Sequence, residues 1–459
     1  MRHWLHSSLF AAILCLGAGG SAYANPSTQL DRFFAGTAAS PSYPFPGADR
    51  LDAEPRLAQM ALPGGGGGAP AAGGSGASAT AANPFVSAIL NGYYADFSKN
   101  SEYKVPGFAL GPDAAGGLGA PGFQLGETEL SLYSNVDPYW FASIVLSFAP
   151  ENGVAVEEAF LQSTSLPYGF IVKGGRYHSS IGYLNVFHRH ADDFIDTPLV
   201  YAAFLNGQLA DDGLQLRWLA PADVLLEFGA EFFNGKTWPA AGSADHGRGT
   251  NTQFIHLADD VGEGGSYLAG ISHVDSSATE RVTSGNPVSR SNGLSFTGND
   301  TLNIASLVYK WSPLGNVKYT QFKFQTEYFQ GDEHGTYTVL DPSGTPAAAS
   351  TPIDLRGNKG LNRTGWYAQA MVKFHERWRV ALRQSEVRTD KPKDVNAVGT
   401  DLDPQNRTPT MTSAMVEFWP SDFSQFRFQY SSDQSSRQSV DRWYLQYIIT
   451  IGAHAAHTY

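Results

Sequence analysis

Between Leu214 and Phe233 the chain alternates apolar and polar side chains with a period of two, interrupted once by Pro221-Ala-Asp223. Leu214, Leu216, Trp218 and Ala220 share one parity, and Gln215 and Arg217 the other. Past the turn, Val224, Leu226, Phe228, Ala230 and Phe232 fall together, opposed by Glu227 and Glu231. Side chains of a strand point alternately to its two sides, so each half of this hairpin has one oily face and one charged face. Pro and Asp are the residues a tight turn favours. The same split recurs in Trp140, Ala142, Ile144, Leu146 and Phe148. It recurs again in Phe322, Phe324, Thr326 and Tyr328 against Lys323, Gln325 and Glu327. Trp366, Ala368, Ala370, Val372 and Phe374 oppose Tyr367, Gln369 and Lys373. Helical spacing fits none of these stretches as well.

Arg2, an apolar run from about Leu9 to Gly17 and the small-residue ending Ala22-Tyr23-Ala24 read as a secretory signal over residues 1–24. The run is too short for a spanning helix, and no later stretch reaches about 20 apolar residues. The single cysteine, Cys15, lies inside the signal, so disulfides, thiol chemistry and Cys-ligated zinc are excluded from the mature chain. Residues 25–83 are rich in Pro, Ala, Gly and Ser, with Gly64–Gly68 and Gly73–Ala77 as the clearest tracts. They read as a flexible periplasmic leader with at most a short helix over Leu51–Met60 and no compact plug domain. The formal net charge is -12, and -13 once Arg2 is removed with the signal. An acidic exported chain is a poor nucleic-acid binder. A mean hydropathy of -0.24 looks soluble, but polar residues facing a water-filled interior cancel apolar ones facing lipid.

Strands are expected at 85–97, 123–133, 139–149, 154–164, 169–178, 213–220, 224–234, 265–274, 301–312, 317–330, 364–374, 378–386, 411–419, 425–432 and 442–452. Short connections at 135–138, 165–168, 221–223, 312–316, 375–377 and 420–424 alternate with long polar ones. Short turns on one rim and long loops on the other are the pattern of a transmembrane antiparallel up-and-down β-barrel, the short turns being periplasmic. Placing all short turns on one rim leaves a parity conflict between Tyr267 and Tyr309. One more strand near Thr279–Thr283 would resolve it and raise about 15 strands to about 16, an even number. Trp140, Trp218, Trp311, Trp366, Trp378, Trp419 and Trp443 lie in or at the ends of strands, as an interfacial aromatic belt requires. Trp443, Leu445, Tyr447, Ile449 and Ile451 share a parity that continues to the terminal Tyr459. The expected domains are therefore the signal, the leader, and a barrel over residues 84–459.

On Asn135-Val-Asp-Pro-Tyr-Trp140, Glu157-Glu-Ala-Phe-Leu-Gln162, Gly174-Gly-Arg-Tyr-His178 and Gly182-Tyr-Leu-Asn185, residues 85–459 resemble the Gram-negative outer-membrane porins, in the manner of the phosphate-selective type. On His188-Arg-His-Ala-Asp-Asp-Phe-Ile-Asp196 and Gly452-Ala-His-Ala-Ala-His457 they more closely resemble porin-like proteins of zinc-responsive operons, often labelled TonB-dependent receptors. The chain departs from that label in its length and in lacking a plug domain and an energy-coupling box. The resemblance implies location in the cell outer membrane of a Gram-negative bacterium. It also implies contact with outer-membrane lipid and lipopolysaccharide, insertion by the barrel-assembly machinery, and a homotrimer.

The connection from Ser179 to Asp212 carries Phe194, Ile195, Leu199, Val200, Phe204 and Leu205, which a solvated loop would not need. It is expected to fold into the lumen. Asp192, Asp193 and Asp196 would then be constriction acids facing Arg217, Lys323, Arg379, Arg383 and Arg427 across the pore, a transverse field that sorts ions. The other arrangement is a lid on the outer rim. His178, His188, His190 and Asp192 have metal-compatible chemistry, imidazole and carboxylate both suiting zinc, in a loose His-x-His spacing. His454 and His457 form a weaker pair. Solvated histidines are the alternative. Gly-x-Ser-x-Gly, His-Glu-x-x-His and the Walker A pattern are absent, and Ser179 or Ser180 beside His178 makes a poor nucleophile site, so no enzyme is expected. The expected function is passive diffusion of small hydrophilic solutes or ions, with no cofactor. The alternatives are a zinc or divalent-cation channel using the His/Asp loop, a non-conducting structural or adhesion barrel, and a secreted β-sandwich.

Overall fold

The computed structural model describes residues 84–452 apart from 100–102, 112–113, 115–118, 150–152, 242–247, 284–292, 342–345, 348–350 and 358–359. The signal, the leader, His454, His457 and Tyr459 lie outside the described residues. The strands are β1 (Phe85–Phe97), β2 (Gly122–Leu125), β3 (Thr128–Asn135), β4 (Trp140–Ala149), β5 (Gly153–Ser163) and β6 (Phe170–His178). Then come β7 (Ala210–Leu219), β8 (Leu225–Phe233), β9 (Thr250–Val261), β10 (Gly265–Val282), β11 (Leu294–Trp311) and β12 (Gln321–Val339). The last are β13 (Ile353–Asp354), β14 (Leu361–His375), β15 (Trp378–Thr389), β16 (Thr410–Ser421), β17 (Ser424–Asp433) and β18 (Val440–Gly452).

All belong to one 18-stranded sheet. Two of its members are short annexes: β2 pairs beside β3 along β1, and the two-residue β13 pairs along β12. The other sixteen pair with their sequence neighbours, and β1 pairs antiparallel with β18 from Ser87↔Gly452 to Phe97↔Arg442, closing the cylinder. The fold is an antiparallel 16-strand β-barrel of the porin-like transmembrane type. Closure removes the sheet edges, which lipid could not hydrogen-bond.

The parity split is physical. Leu214, Leu216, Phe232, Tyr328, Leu382, Phe428 and Leu445 are exposed on the outer wall, whereas Gln215, Glu231, Gln325, Glu327, Arg383, Arg427 and Gln446 are buried inside. A β-sandwich would have the opposite inside and outside, so that alternative fails. Tight turns at 136–139, 220–224, 262–264, 376–377 and 422–423 share one rim, and the long connections share the other. The strand that sequence parity requires is β9, not a segment near Thr279–Thr283, which is the end of the 18-residue β10. In β9 Thr250, Thr252 and Phe254 face in while Gln253 faces out. An apolar ring inside and an amide outside blur the alternation, which hid the strand. Trp140, Trp311, Trp378 and Trp443 are exposed on the outer wall, as an aromatic belt demands. Trp419 is the exception. It points inward and its ring lies 5.3 Å from Lys373 Nζ and 5.1 Å from Arg379 Cζ.

Candidate functional site

The connection between β6 and β7 runs from Ser179 to Leu209, slightly shorter than its sequence suggests because β7 starts at Ala210. It lies inside the barrel. Its α-helix, α1 (Leu199–Leu205), follows Pro198 and ends at Asn206, whose φ of 54° is left-handed. Asn tolerates that conformation and commonly ends a helix there. Every residue of α1 is buried. Full burial of a large apolar side chain is worth about 1.5–3 kcal/mol, so Leu199, Val200, Phe204 and Leu205 drive the loop inward. The wall makes room with glycine: a Cβ at Gly365 would stand 2.7 Å from Val200 Cγ1, and one at Gly331 3.1 Å from Phe204 Cε1.

Polar groups of the wall hold this apolar insert. Asp193 accepts from Lys323 Nζ at 2.8 Å, Gln369 Nε2 at 2.7 Å and Arg379 Nη1 at 3.1 Å. Asp196 pairs with Arg383 and accepts from Gln429 Nε2 at 2.7 Å and Ser431 Oγ at 3.0 Å. Arg427 donates to the main-chain oxygen of Asp192 at 2.6 Å and pairs with Glu417, which also pairs with Arg379. Glu327 accepts from the Tyr183 amide at 2.8 Å, Tyr201 Oη at 2.9 Å and Tyr367 Oη at 2.5 Å. Four of the five expected wall cations therefore meet the loop. Arg217 does not: it pairs with Glu227 at 3.1 Å. Asp193 and Asp196 touch their cations directly instead of facing them across open water.

The two neighbouring acids differ sharply. Burial works to raise the Asp193 carboxyl, but the Lys323 and Arg379 charges prevail and hold it at about 2. Burial and the Asp193 charge push Asp192 up to about 8. Its Oδ1 is buried without a hydrogen-bond partner.

The three histidines of the expected metal set converge, and Asp192 is not among them. They meet four glutamates: Glu127 between β2 and β3, Glu129 on β3, and Glu157 and Glu158 on β5. Consecutive strand residues normally face opposite ways. Here Val145 pairs with Glu158 and Leu146 with Val156, leaving Glu157 as the extra residue of a bulge. A bulge re-aims a side chain in this way, so both acids reach the cluster. His188 lies at the centre. Its Nε2 is 3.2 Å from Glu158 Oε2, and its Nδ1 is 3.4 Å from both Glu129 Oε1 and Glu157 Oε1. His190 Nδ1 is 2.8 Å from Glu129 Oε1, and His178 Nε2 is 3.7 Å from Glu157 Oε1. Burial works to lower the His188 imidazole, but the Glu129 and Glu157 carboxylates raise it well above its ordinary range.

The sequence reading missed these glutamates. The run Glu157-Glu158 inside an alternating strand was the available signal. It also missed a second insert, residues 103–111 of the β1–β2 connection, where Phe108 stacks edge-on against Phe204 at 5.5 Å and caps the helix. The apolar run Val105-Pro-Gly-Phe-Ala-Leu110 could have announced it.

No family model matches the chain. Among solved structures, a loop-deletion form of OmpT, an outer membrane protein of Vibrio cholerae, superposes with a TM-score of 0.50 at 8% identity, over 81% of this chain and 100% of that one. An anion-selective porin from Comamonas acidovorans gives 0.48 at 10% identity, over 80% of this chain and 99% of that one. Among curated proteins, an uncharacterized protein of Aquifex aeolicus (strain VF5) is 31% identical over 358 residues, covering 74% of this chain and 70% of that protein. The chain belongs to the same family as that Aquifex aeolicus protein.

Proposed function

We propose that this protein is an outer-membrane channel through which small hydrophilic solutes or ions diffuse passively, and that the Ser179–Leu209 loop is its constriction. The observation that carries the reading is the loop's position. It crosses the interior and is fastened to the wall of β12, β15 and β17 through Asp193 and Asp196. The porin-like barrel supports the placement in an outer membrane, with the tight turns periplasmic. Nothing in this mechanism forms or breaks a covalent bond; size and charge at the constriction do the sorting.

A specific observation favours a second reading, a barrel that conducts little as it stands. Inner-wall side chains around the loop are almost wholly buried, among them Gln162, Gln215, Gln325 and Gln429 at 0% exposure. The channel reading therefore places conduction under control of loop docking. Planar-bilayer recording decides between the two. Deleting Leu199–Leu205 should raise single-channel conductance above the wild-type value. A folded deletion variant that stays electrically silent would leave the structural barrel as the better account.

A further inference from the structure

We propose that Glu129, Glu157 and His188 form a binding site for a divalent first-row transition cation, zinc being the probe, and that the bound ion fastens the lumen loop to strands β3 and β5. The site is independent of whether the barrel conducts.

The spacing argues first. Ligands about 2.1 Å from a tetrahedral zinc stand about 3.4 Å apart. His188 Nδ1 is 3.4 Å from Glu129 Oε1 and 3.4 Å from Glu157 Oε1. That distance is long for a charge-assisted hydrogen bond, which is typically about 2.7–2.9 Å. Correspondingly, His188 Nδ1 and Glu157 Oε2 are buried without hydrogen-bond partners. Two orphaned atoms thus belong to the same three residues. Leaving such groups unmet in a buried site is costly, more so for a charged one.

The surroundings argue second. A metal-bound histidine usually gives its other ring N–H to a carboxylate, which fixes the ring and its tautomer. Glu158 stands in that place, 3.2 Å from His188 Nε2. His190 touches Glu129 at 2.8 Å and steadies the second ligand in the same way. Four glutamates crowd the cluster against three imidazoles. Their mutual repulsion in a buried site is relieved by a doubly charged ion. One nitrogen and two carboxylate oxygens suit zinc and its neighbours, and three protein ligands leave a fourth position for water. The bulge at Glu157 supplies the last ligand, since a regular strand would turn it to the outer wall.

Calorimetric titration of zinc chloride into the folded full-length protein in detergent should show saturable micromolar binding. His188→Ala and Glu157→Gln should each weaken it by more than about tenfold, the loss that even an outer-shell partner can cause. Absence of uptake by the wild type, or binding unchanged in both variants, overturns the site. X-ray absorption of the zinc-loaded wild type needs no variant to fold. One imidazole with oxygen neighbours supports the assignment, and an all-oxygen shell refutes it. If conductance fails to change on zinc addition while calorimetry and absorption hold, the site stands and only its coupling to the channel falls.

Discussion

Removing one carboxylate should free the loop. Asp196 is 1% exposed and Arg383 3%. The Asp196 carboxylate pairs with Arg383 and also accepts from Gln429 and Ser431. In Asp196→Ala the guanidinium stays behind in a buried site without its carboxylate, keeping its bond to the main-chain oxygen of residue 196, 2.7 Å away in the wild type, and a long one to Ser413 Oγ at 3.5 Å. Breaking a buried ion pair from one side costs about 3–5 kcal/mol. The barrel does not need this pair, so the cost falls on docking of the loop. At about 1.4 kcal/mol per factor of ten, the undocked fraction rises by roughly two to three and a half powers of ten. Amide hydrogen exchange reads that ratio directly. The Ile195 amide donates to Gln429 Oε1 of the wall at 2.8 Å and so reports docking directly, while the Tyr201 amide, bonded to the Pro198 oxygen at 3.0 Å, reports whether α1 stays folded. Exchange at residues 192–205 should accelerate by that factor while β14–β17 stay protected. The control is Arg388→Gln, which removes an exposed partner of Glu386 and should change exchange little. Unchanged exchange over 192–205 in a folded Asp196→Ala barrel would refute the claim that the pair pins the loop.

Other outcomes follow from the same geometry. Gly365→Val should push α1 off the wall, because even a Cβ would stand 2.7 Å from Val200 and 2.8 Å from Val387. Overpacking costs about 1–3 kcal/mol, and protease cleavage within 199–209 would register it. Asp192 holds its proton up to about 8 in the docked loop against an ordinary 3.8, so the stability that proton gives is full below about pH 4 and is lost as pH rises through about 8. Asp192→Asn should flatten the pH dependence of loop exchange over that window. Lys310 lies directly across from Lys323 and Lys373 from Arg379, two like-charge pairs on the inner wall. Lys310→Glu with Lys373→Glu should shift the reversal potential in a salt gradient toward cations.

Strand parity was legible because the barrel applies the same constraint about sixteen times, and one blurred strand could still be inferred from a parity conflict. Its place was misread because Phe254 faces inward, over Gly229 of β8, and Gln253 faces outward. The loop's entry into the lumen was legible from Leu199 to Leu205, since apolar side chains need somewhere dry. The pairing was less so. Arg217 has the same parity as Arg379 and Arg383, yet it is taken by Glu227 on the next strand of its own hairpin, at 3.1 Å. The histidine–glutamate cluster was half visible. His178, His188 and His190 announce themselves by type, whereas Glu129 and Glu157 reach them through a closed sheet and a bulge that periodicity does not contain.

The loop is held at its two halves by different chemistry, and this bears on how such a channel could respond. The half around Asp193 and Asp196 is anchored by five-donor guanidiniums and an ammonium. The Asp193 carboxyl at about 2 gives stability that is present above about pH 4 and lost only as pH falls toward 2. The half around His188 rests on an imidazole between carboxylates. Its pKa is raised, so its stability is full below pH 6.5 and lost as pH rises past the folded value. A divalent ion at the proposed Glu129–Glu157–His188 site would replace that proton and restore the attachment at high pH. In an Asp192→Asn background, which removes the Asp192 titration, rising pH without metal should therefore loosen residues 184–191 while 193–205 stay docked. Exchange at the two segments, measured at alkaline pH with and without zinc, separates the anchors; parallel loosening of both, insensitive to zinc, would mean the loop moves as one rigid piece.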